Sequence, residues 1–271
     1  MADLSMIGVF DSGYGGLTVL QELRRKLPQY DYLYYGDNLR APYGTRSFEE
    51  VYKFTLDAVK LLFNQGCPLV ILACNTASAK ALRTIQQGWL AQNYPDRRVL
   101  GVIRPTAEII DRVSHNKHVG VLATDGTIRS ESYNLEIKKF CPDAVITGLA
   151  CPEWVPLVES GEWRDEKCDE KVGKSVRQQI DRLFGIDPDI DTVILGCTHY
   201  PLLLDKIMLY MPQGVEVLSQ GKYVADALTD YLKRHTDIES KLTKGYQCQY
   251  MTSGNIEDFN KTAKLFIYEN E

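Results

Sequence analysis

Val70-Ile-Leu-Ala-Cys-Asn-Thr-Ala-Ser78 has an echo later in the chain, Val193-Ile-Leu-Gly-Cys-Thr-His-Tyr-Pro201. Each copy is a short, unbroken apolar run, the pattern of a strand buried on both faces. Each stops at a cysteine followed by hydroxyl, amide or imidazole side chains. A single "V-I-L-small-Cys" stretch reads as a small hydrophobe ending a buried strand. Two in comparable settings point to a shared purpose.

Working outward from the first copy, Met6-Ile-Gly-Val-Phe10 is another apolar run. It ends abruptly in Asp11-Ser-Gly-Tyr-Gly-Gly16. Leu17, Leu20, Leu23 and Leu27 then fall at helical spacing, and Pro28 closes the pattern. A second strand is predicted over 32–35, running into a loop over 36–44 rich in Gly, Pro, Asp and Asn. Ser47-Phe-Glu-Glu50 predicts a capping box opening a helix through about residue 63. The Cys74 strand over 69–73 and a further helix follow. This βαβαβα order with continuous apolar strands predicts a parallel sheet covered on both faces.

A second series predicts a strand over 99–103, a helix over 106–113 and a strand with a polar turn over 119–126. Residues 7–13 resemble 119–126 in the way the Cys74 segment resembles the Cys197 segment, so the echoes come in the same order. That order implies a duplicated half with insertions. After Pro201 the pattern predicts a strand over 215–218, a helix from about 223 to 234, a strand over 246–251 and a last helix from 255. No low-complexity linker separates the series, which fits two compact lobes in close contact.

Composition narrows the function classes. With 271 residues, the chain has room for one large or two moderate α/β domains. The net charge is -5, with Lys and Arg scattered among Asp and Glu. No basic stripe marks a nucleic-acid partner. No apolar run approaches the roughly 18 residues of a membrane span, and Met1-Ala-Asp-Leu-Ser5 lacks a signal-peptide layout, so a cytoplasmic protein is expected. Seven cysteines without a framework spacing read as thiols in a reducing compartment. A zinc site is not expected, since C-x-x-C is absent and Cys197-Thr-His199 is too tightly spaced. The turn at 11–16 also fails as a dinucleotide fingerprint, with Thr18 where the third glycine of G-x-G-x-x-G belongs.

In parallel α/β sheets, ligands bind beyond the carboxyl ends of the strands. Both cysteines sit at such an end, and a helix N-terminus there can lower a thiol pKa from about 8.5. If the lobes face each other, Cys74 and Cys197 approach a small substrate from opposite sides. One thiolate removing a proton while the other thiol donates one would invert a carbon centre. Candidate donors nearby are Ser12, Asn75, Thr76, Thr198 and His199, together with the amides of the 11–16 turn. Asp11 reads either as a helix cap or as a proton or ammonium acceptor; His199 reads as a loop residue or as a polariser of Cys197. A Cys-His hydrolase with Cys197 as nucleophile is the alternative enzyme, and a two-lobed amino-acid receptor the alternative of another class.

Four stretches carry a family likeness: Phe10-Asp-Ser-Gly-x-Gly-Gly-Leu-Thr-Val19, Gly36-Asp-x-x-x-x-Pro-Tyr-Gly44, Ala73-Cys-Asn-Thr-Ala-Ser78 and Gly196-Cys-Thr-His-Tyr-Pro-Leu-Leu203. They resemble the glutamate racemases of the aspartate/glutamate racemase superfamily, along nearly the whole chain. The resemblance implies an α/β fold of two pseudo-symmetric parallel-sheet domains with the active site in the cleft between them. It implies cofactor-independent interconversion of L- and D-glutamate, supplying D-glutamate for peptidoglycan. Cys74 would serve the D enantiomer with Asp11 as its helper; Cys197 would serve the L enantiomer with His199 and Glu159. Substrate contacts would come from Asp11, Ser12, Tyr43, Gly44, Asn75, Thr76, Thr124, Thr198 and His199, with no metal. The family fold implies a first domain of residues 1–96 plus 206–271 and a second of 97–205, in a homodimer. Glu153-Trp154, Leu39-Arg40 and Arg104-Pro-Thr106 depart from the usual pattern beside these motifs.

Overall fold

The strands, in chain order, are β1 (Ile7–Asp11), β2 (Tyr32–Gly36), β3 (Leu69–Leu72), β4 (Arg98–Gly101), β5 (His118–Ala123), β6 (Val145–Ala150), β7 (Thr192–Gly196), β8 (Glu216–Ser219) and β9 (Cys248–Thr252). They form two parallel sheets, ordered β4-β3-β1-β2-β9 and β6-β5-β7-β8. The computed structural model describes residues 5–267. The leader-segment expectation rests on residues 1–5, of which 1–4 lie outside the described residues.

Continuous apolar strands arise because helices cover both faces. Every residue of β1, β3 and β7 is buried. Along β1, Ile7 and Val9 pack with Leu20 and Leu23 on one side, while Phe10 packs with Val59 and Leu62 on the other. Each fully buried Leu or Val contributes about 1.5–3 kcal/mol relative to exposure. The helix Phe48–Asn64 opens at the expected capping box: the Glu50 amide donates to Ser47 Oγ at 3.2 Å and the Ser47 amide to Glu50 Oε2 at 3.0 Å.

The sheets share one internal order. β4-β3-β1-β2 corresponds to β8-β7-β5-β6, and β9 is added to the edge of the first. The echoed segments occupy equivalent places, with β1 matching β5 and β3 matching β7, so two pseudo-symmetric halves face a common cleft. The same correspondence corrects the expected domain limits at 97 and 206. β4 belongs to the first sheet, pairing Leu69 with Arg98, and β8 belongs to the second, pairing Thr192 with Glu216. Each half keeps its fourth strand beside its cysteine strand. The chain therefore crosses after Gly101 and returns after Ser219, where the helix Gln220–Arg234 packs back on the helix Leu17–Lys26 of the first half.

Smaller shifts have local causes. The last strand starts at Cys248 because Tyr246 is left-handed (φ 58°) and the amides of Gly245 and Gln247 both donate to Asp31 Oδ1 at 2.9 Å. The helix predicted over 106–113 is two short ones, Ile103–Ala107 and Ile110–Val113.

Candidate active site

β3 delivers Cys74 to the N-cap of the helix Asn75–Lys80, where its sulfur accepts the Ala77 amide at 3.5 Å. The thiol donates to Ser12 Oγ, also at 3.5 Å. Helix capping by itself favours thiolate. Here burial wins: it pushes the Cys74 thiol up to about 12, with the Asp11 charge adding to the rise and the contacts to Ser12 and Ala77 opposing it. The expected lowering of this thiol is thus reversed by desolvation. Asp11, at the end of β1, is fully buried and accepts the Gly13 amide at 2.9 Å. Burial raises its carboxyl above the ordinary carboxylate range, against the pull of His199 and the Gly13 and Gly16 amides.

β7 delivers Cys197 to the same region from the second half. No long helix follows; a turn leads into the short helix Tyr200–Leu203. The Cys197 sulfur lies 3.8 Å from His199 Nδ1, and His199 Nε2 lies 2.9 Å from Glu159 Oε1. Glu159 comes from the helix Trp154–Glu159, so three elements build this side. Burial lowers the affinity of His199 for a proton, but the hydrogen bonds to Cys197 and Glu159 overcome it and push the imidazole up to about 10. Phe266 stacks edge-on against the ring at 5.5 Å.

The halves meet through the predicted residues. Thr198 Oγ1 donates to Asp11 Oδ1 at 3.5 Å, and Thr18 Oγ1 donates to the Thr198 carbonyl at 2.9 Å. The Thr76 hydroxyl lies 2.9 Å from that of Thr124, and Thr127, which the sequence did not single out, lies 3.3 Å from Thr76. The Gly126 amide donates to the Gly44 carbonyl at 2.8 Å. Two expected ligands are otherwise engaged. The Tyr43 hydroxyl donates to buried Asp37, and the Asn75 amide is bonded to Tyr133 and Gln220. Neither partner had a sequence signal, because a polar residue on an amphipathic helix ordinarily faces water. Trp154 is buried edge-on against Tyr200 at 4.8 Å, in the core behind the Cys197 turn, and Glu153 is exposed.

Other features lie apart from the thiols. His118, Asp187 and Asp189 form a grouping of metal-ligating type at the amino end of β5, the opposite end from the cysteines. Its geometry is accounted for without an ion, since Asp187 bonds His118 at 2.9 Å and accepts the Asp189 amide at 3.1 Å. A surface hollow of about 470 Å³ lies along the helix Asp169–Ile186 at Lys174, Arg177 and Asp181. Among the described residues no helix is long and apolar enough to cross a membrane.

Two parallel α/β halves, each ending its equivalent strand in a buried thiol at one cleft, define a duplicated α/β protein with a cysteine on each side of the cleft. The profile of Asp/Glu/Hydantoin racemase matches residues 8–228, and the chain belongs to this family, among its glutamate racemases. It is 40% identical to the glutamate racemase of Dinoroseobacter shibae, over 96% of this chain and 95% of that one. A glutamate racemase isoform from Bacillus anthracis superposes with a TM-score of 0.85 at 34% identity, over 96% of this chain and 92% of that chain. The Francisella tularensis glutamate racemase, solved in complex with D-glutamate, gives 0.83 at 31% identity, over 97% and 94%.

Proposed function

We infer that this protein interconverts L- and D-glutamate by a two-base route without a cofactor, and that its D-glutamate goes to peptidoglycan. The observation that carries the reading is the placement of Cys74 and Cys197 at equivalent strand ends of two halves, with unlike proton partners on each side. Starting from D-glutamate, the Cys74 thiolate takes the α-proton: the C–H bond breaks, an S–H bond forms, and the electron pair stays on carbon. The Cys197 thiol then gives its proton to the opposite face, leaving thiolate, and L-glutamate departs. The reverse reaction exchanges the roles.

The raised thiol at Cys74 suits a site that is activated by its substrate. An ammonium group entering beside Asp11 replaces lost solvation and favours both anions, so the base forms once substrate is bound. His199, protonated and braced by Glu159, supports negative charge on Cys197. Ser12, Thr76, Thr124 and Thr198 supply hydroxyls for the substrate carboxylates, and Gly44 and Tyr43 contribute through their backbone. Asn75 contributes either directly or by fixing the helix that follows Cys74.

The test is to incubate purified protein with each enantiomer and no added cofactor. Circular dichroism should decay to zero from either side, and product formed in D2O should carry deuterium at the α-carbon. A requirement for pyridoxal phosphate would sink the reading, and turnover of aspartate in preference to glutamate would correct the substrate. The Cys197-His199-Glu159 arrangement also resembles the nucleophile-base-acid layout of a hydrolase. That reading leaves Cys74 without a role, and a burst of acyl-enzyme would be its signature.

As an assembly, we place the protein as a cytoplasmic homodimer without nucleic-acid or membrane partners. The family resemblance supports the dimer, and the scattered charge supports the rest. Sedimentation equilibrium tests the dimer directly.

A further inference from the structure

Gln220 opens the helix at the return crossing and is only 3% exposed. Its Nε2 donates to the Val102 carbonyl at 3.1 Å and to the Tyr133 hydroxyl at 2.7 Å, and lies 3.4 Å from Thr106 Oγ1. Its Oε1 accepts from Asn75 Nδ2 at 2.6 Å. The Tyr133 hydroxyl donates to Asn75 Oδ1 at 2.8 Å, which closes a ring of three hydrogen bonds with every member buried.

The origins of these groups give the ring its meaning. Val102 and Thr106 lie on the outgoing crossing just after β4, and Gln220 lies on the return crossing just after β8. Asn75 follows Cys74 directly. Tyr133 packs at Gly196, where a β-carbon would stand 3.1 Å from the ring, so the peptide preceding Cys197 rests on that tyrosine. One buried carboxamide therefore touches both crossings and, within one residue on either side, the supports of both thiols. In a buried network each lost partner leaves another group orphaned, so the ring holds as a unit.

We propose that Gln220 is a positioning residue that, together with Tyr133, ties the two inter-lobe crossings to Asn75 and to the Gly196–Cys197 peptide and so fixes the spacing of the two thiols across the substrate. The inference rests on the racemase reading above. Inversion needs both sulfurs within reach of one carbon during the same encounter. A thiol displaced by about an ångström costs up to about a hundredfold in such a step. A loosened pair has another outlet: Cys74 still removes the α-proton, trades it with solvent, and returns a solvent proton to the same face.

The experiment measures two rates in one D2O sample started from D-glutamate: inversion to L-glutamate, and deuterium appearing in recovered D-glutamate. Wild type, Gln220→Met and Tyr133→Phe are compared. Expected for Gln220→Met is a fall in inversion of about ten- to a hundredfold with a rise in the ratio of retained exchange to inversion. Tyr133→Phe should move the same ratio the same way by less. The ratio does not depend on how much enzyme is folded, so simple destabilisation leaves it unchanged. Unchanged inversion in Gln220→Met, or both rates falling in proportion in both variants, would overturn the proposal. If Gln220→Met does not fold, Tyr133→Phe decides on the same ratio. A wild type that leaves glutamate untouched defeats the racemase reading itself, and the wild-type arm alone shows this.

Discussion

Gly15 and His199, one from each half, are in contact so close that a β-carbon on Gly15 would stand 2.4 Å from the imidazole Nδ1 and 2.3 Å from the neighbouring Thr198 hydroxyl. The glycine turn after β1 is thus part of the wall that holds the second cysteine loop. The geometry explains why glycine occupies a position with no special backbone angle: what it provides is absence of a side chain.

Gly15→Ala should displace the Thr198-His199 segment and lower kcat by about tenfold or more, as misplacement of a catalytic group does. Gly88→Ala is the control. Nothing lies within 4 Å of a β-carbon there, so activity should persist and stability should rise by about 0.4–1 kcal/mol. Racemase assays and melting curves on the two variants would refute the packing argument if they responded alike.

Cys74→Ser and Cys197→Ser should each cut racemisation by about a hundredfold or more, the scale of losing a general acid or base. A serine hydroxyl is a far weaker acid than a thiol and does not become a base near neutrality. Cys168→Ser, outside the cleft and partly exposed, should leave the rate within about twofold, as distant surface changes do. Equal tolerance of all three substitutions would remove the two-thiol mechanism.

The repeated strand and the polar residues after each cysteine were legible because strand periodicity and strand-end chemistry are local. Ser47 and Glu50 were legible for the same reason. The domain crossings were misplaced because β4 and β8 are four-residue strands whose sheet is decided by pairing with β3 and β7, a non-local choice. Gln220 and Tyr133 were invisible because their partners lie 145 and 58 residues away from them at Asn75. The direction of the Cys74 shift was missed for a related reason: a helix cap can be read from sequence, whereas the desolvation that overrides it comes from burial by residues distant in the chain.

His199 yields a pH prediction. Its imidazole is raised from 6.5 to about 10, so the stability it contributes is fully present below 6.5 and is lost as the pH rises through about 10. Glu159→Gln removes one cause of the rise. The loss should then be smaller and complete at lower pH, and the alkaline limb of kcat/KM should move down with it. Chemical unfolding and pH-rate profiles measured on both proteins check this, and an unmoved alkaline limb would show that the His199–Glu159 pair takes no part in proton handling.

The last prediction uses the symmetry of the substrate. L- and D-glutamate have equal free energies in water, so the equilibrium constant is unity and every variant must keep equal kcat/KM in the two directions. A helper's side cannot be read from those ratios. It can be read from isotope effects, because weakening one base makes its own C–H cleavage more rate-limiting. With Asp11 serving Cys74, Asp11→Asn should enlarge the primary isotope effect on α-deuterated D-glutamate more than on the L enantiomer. With His199 serving Cys197, His199→Gln should do the reverse. Asp11 also lies against Thr198 and feels the His199 charge, so the opposite outcome has a structural rationale: equal enlargement for both enantiomers in Asp11→Asn would make Asp11 a shared ammonium site rather than the partner of one thiol.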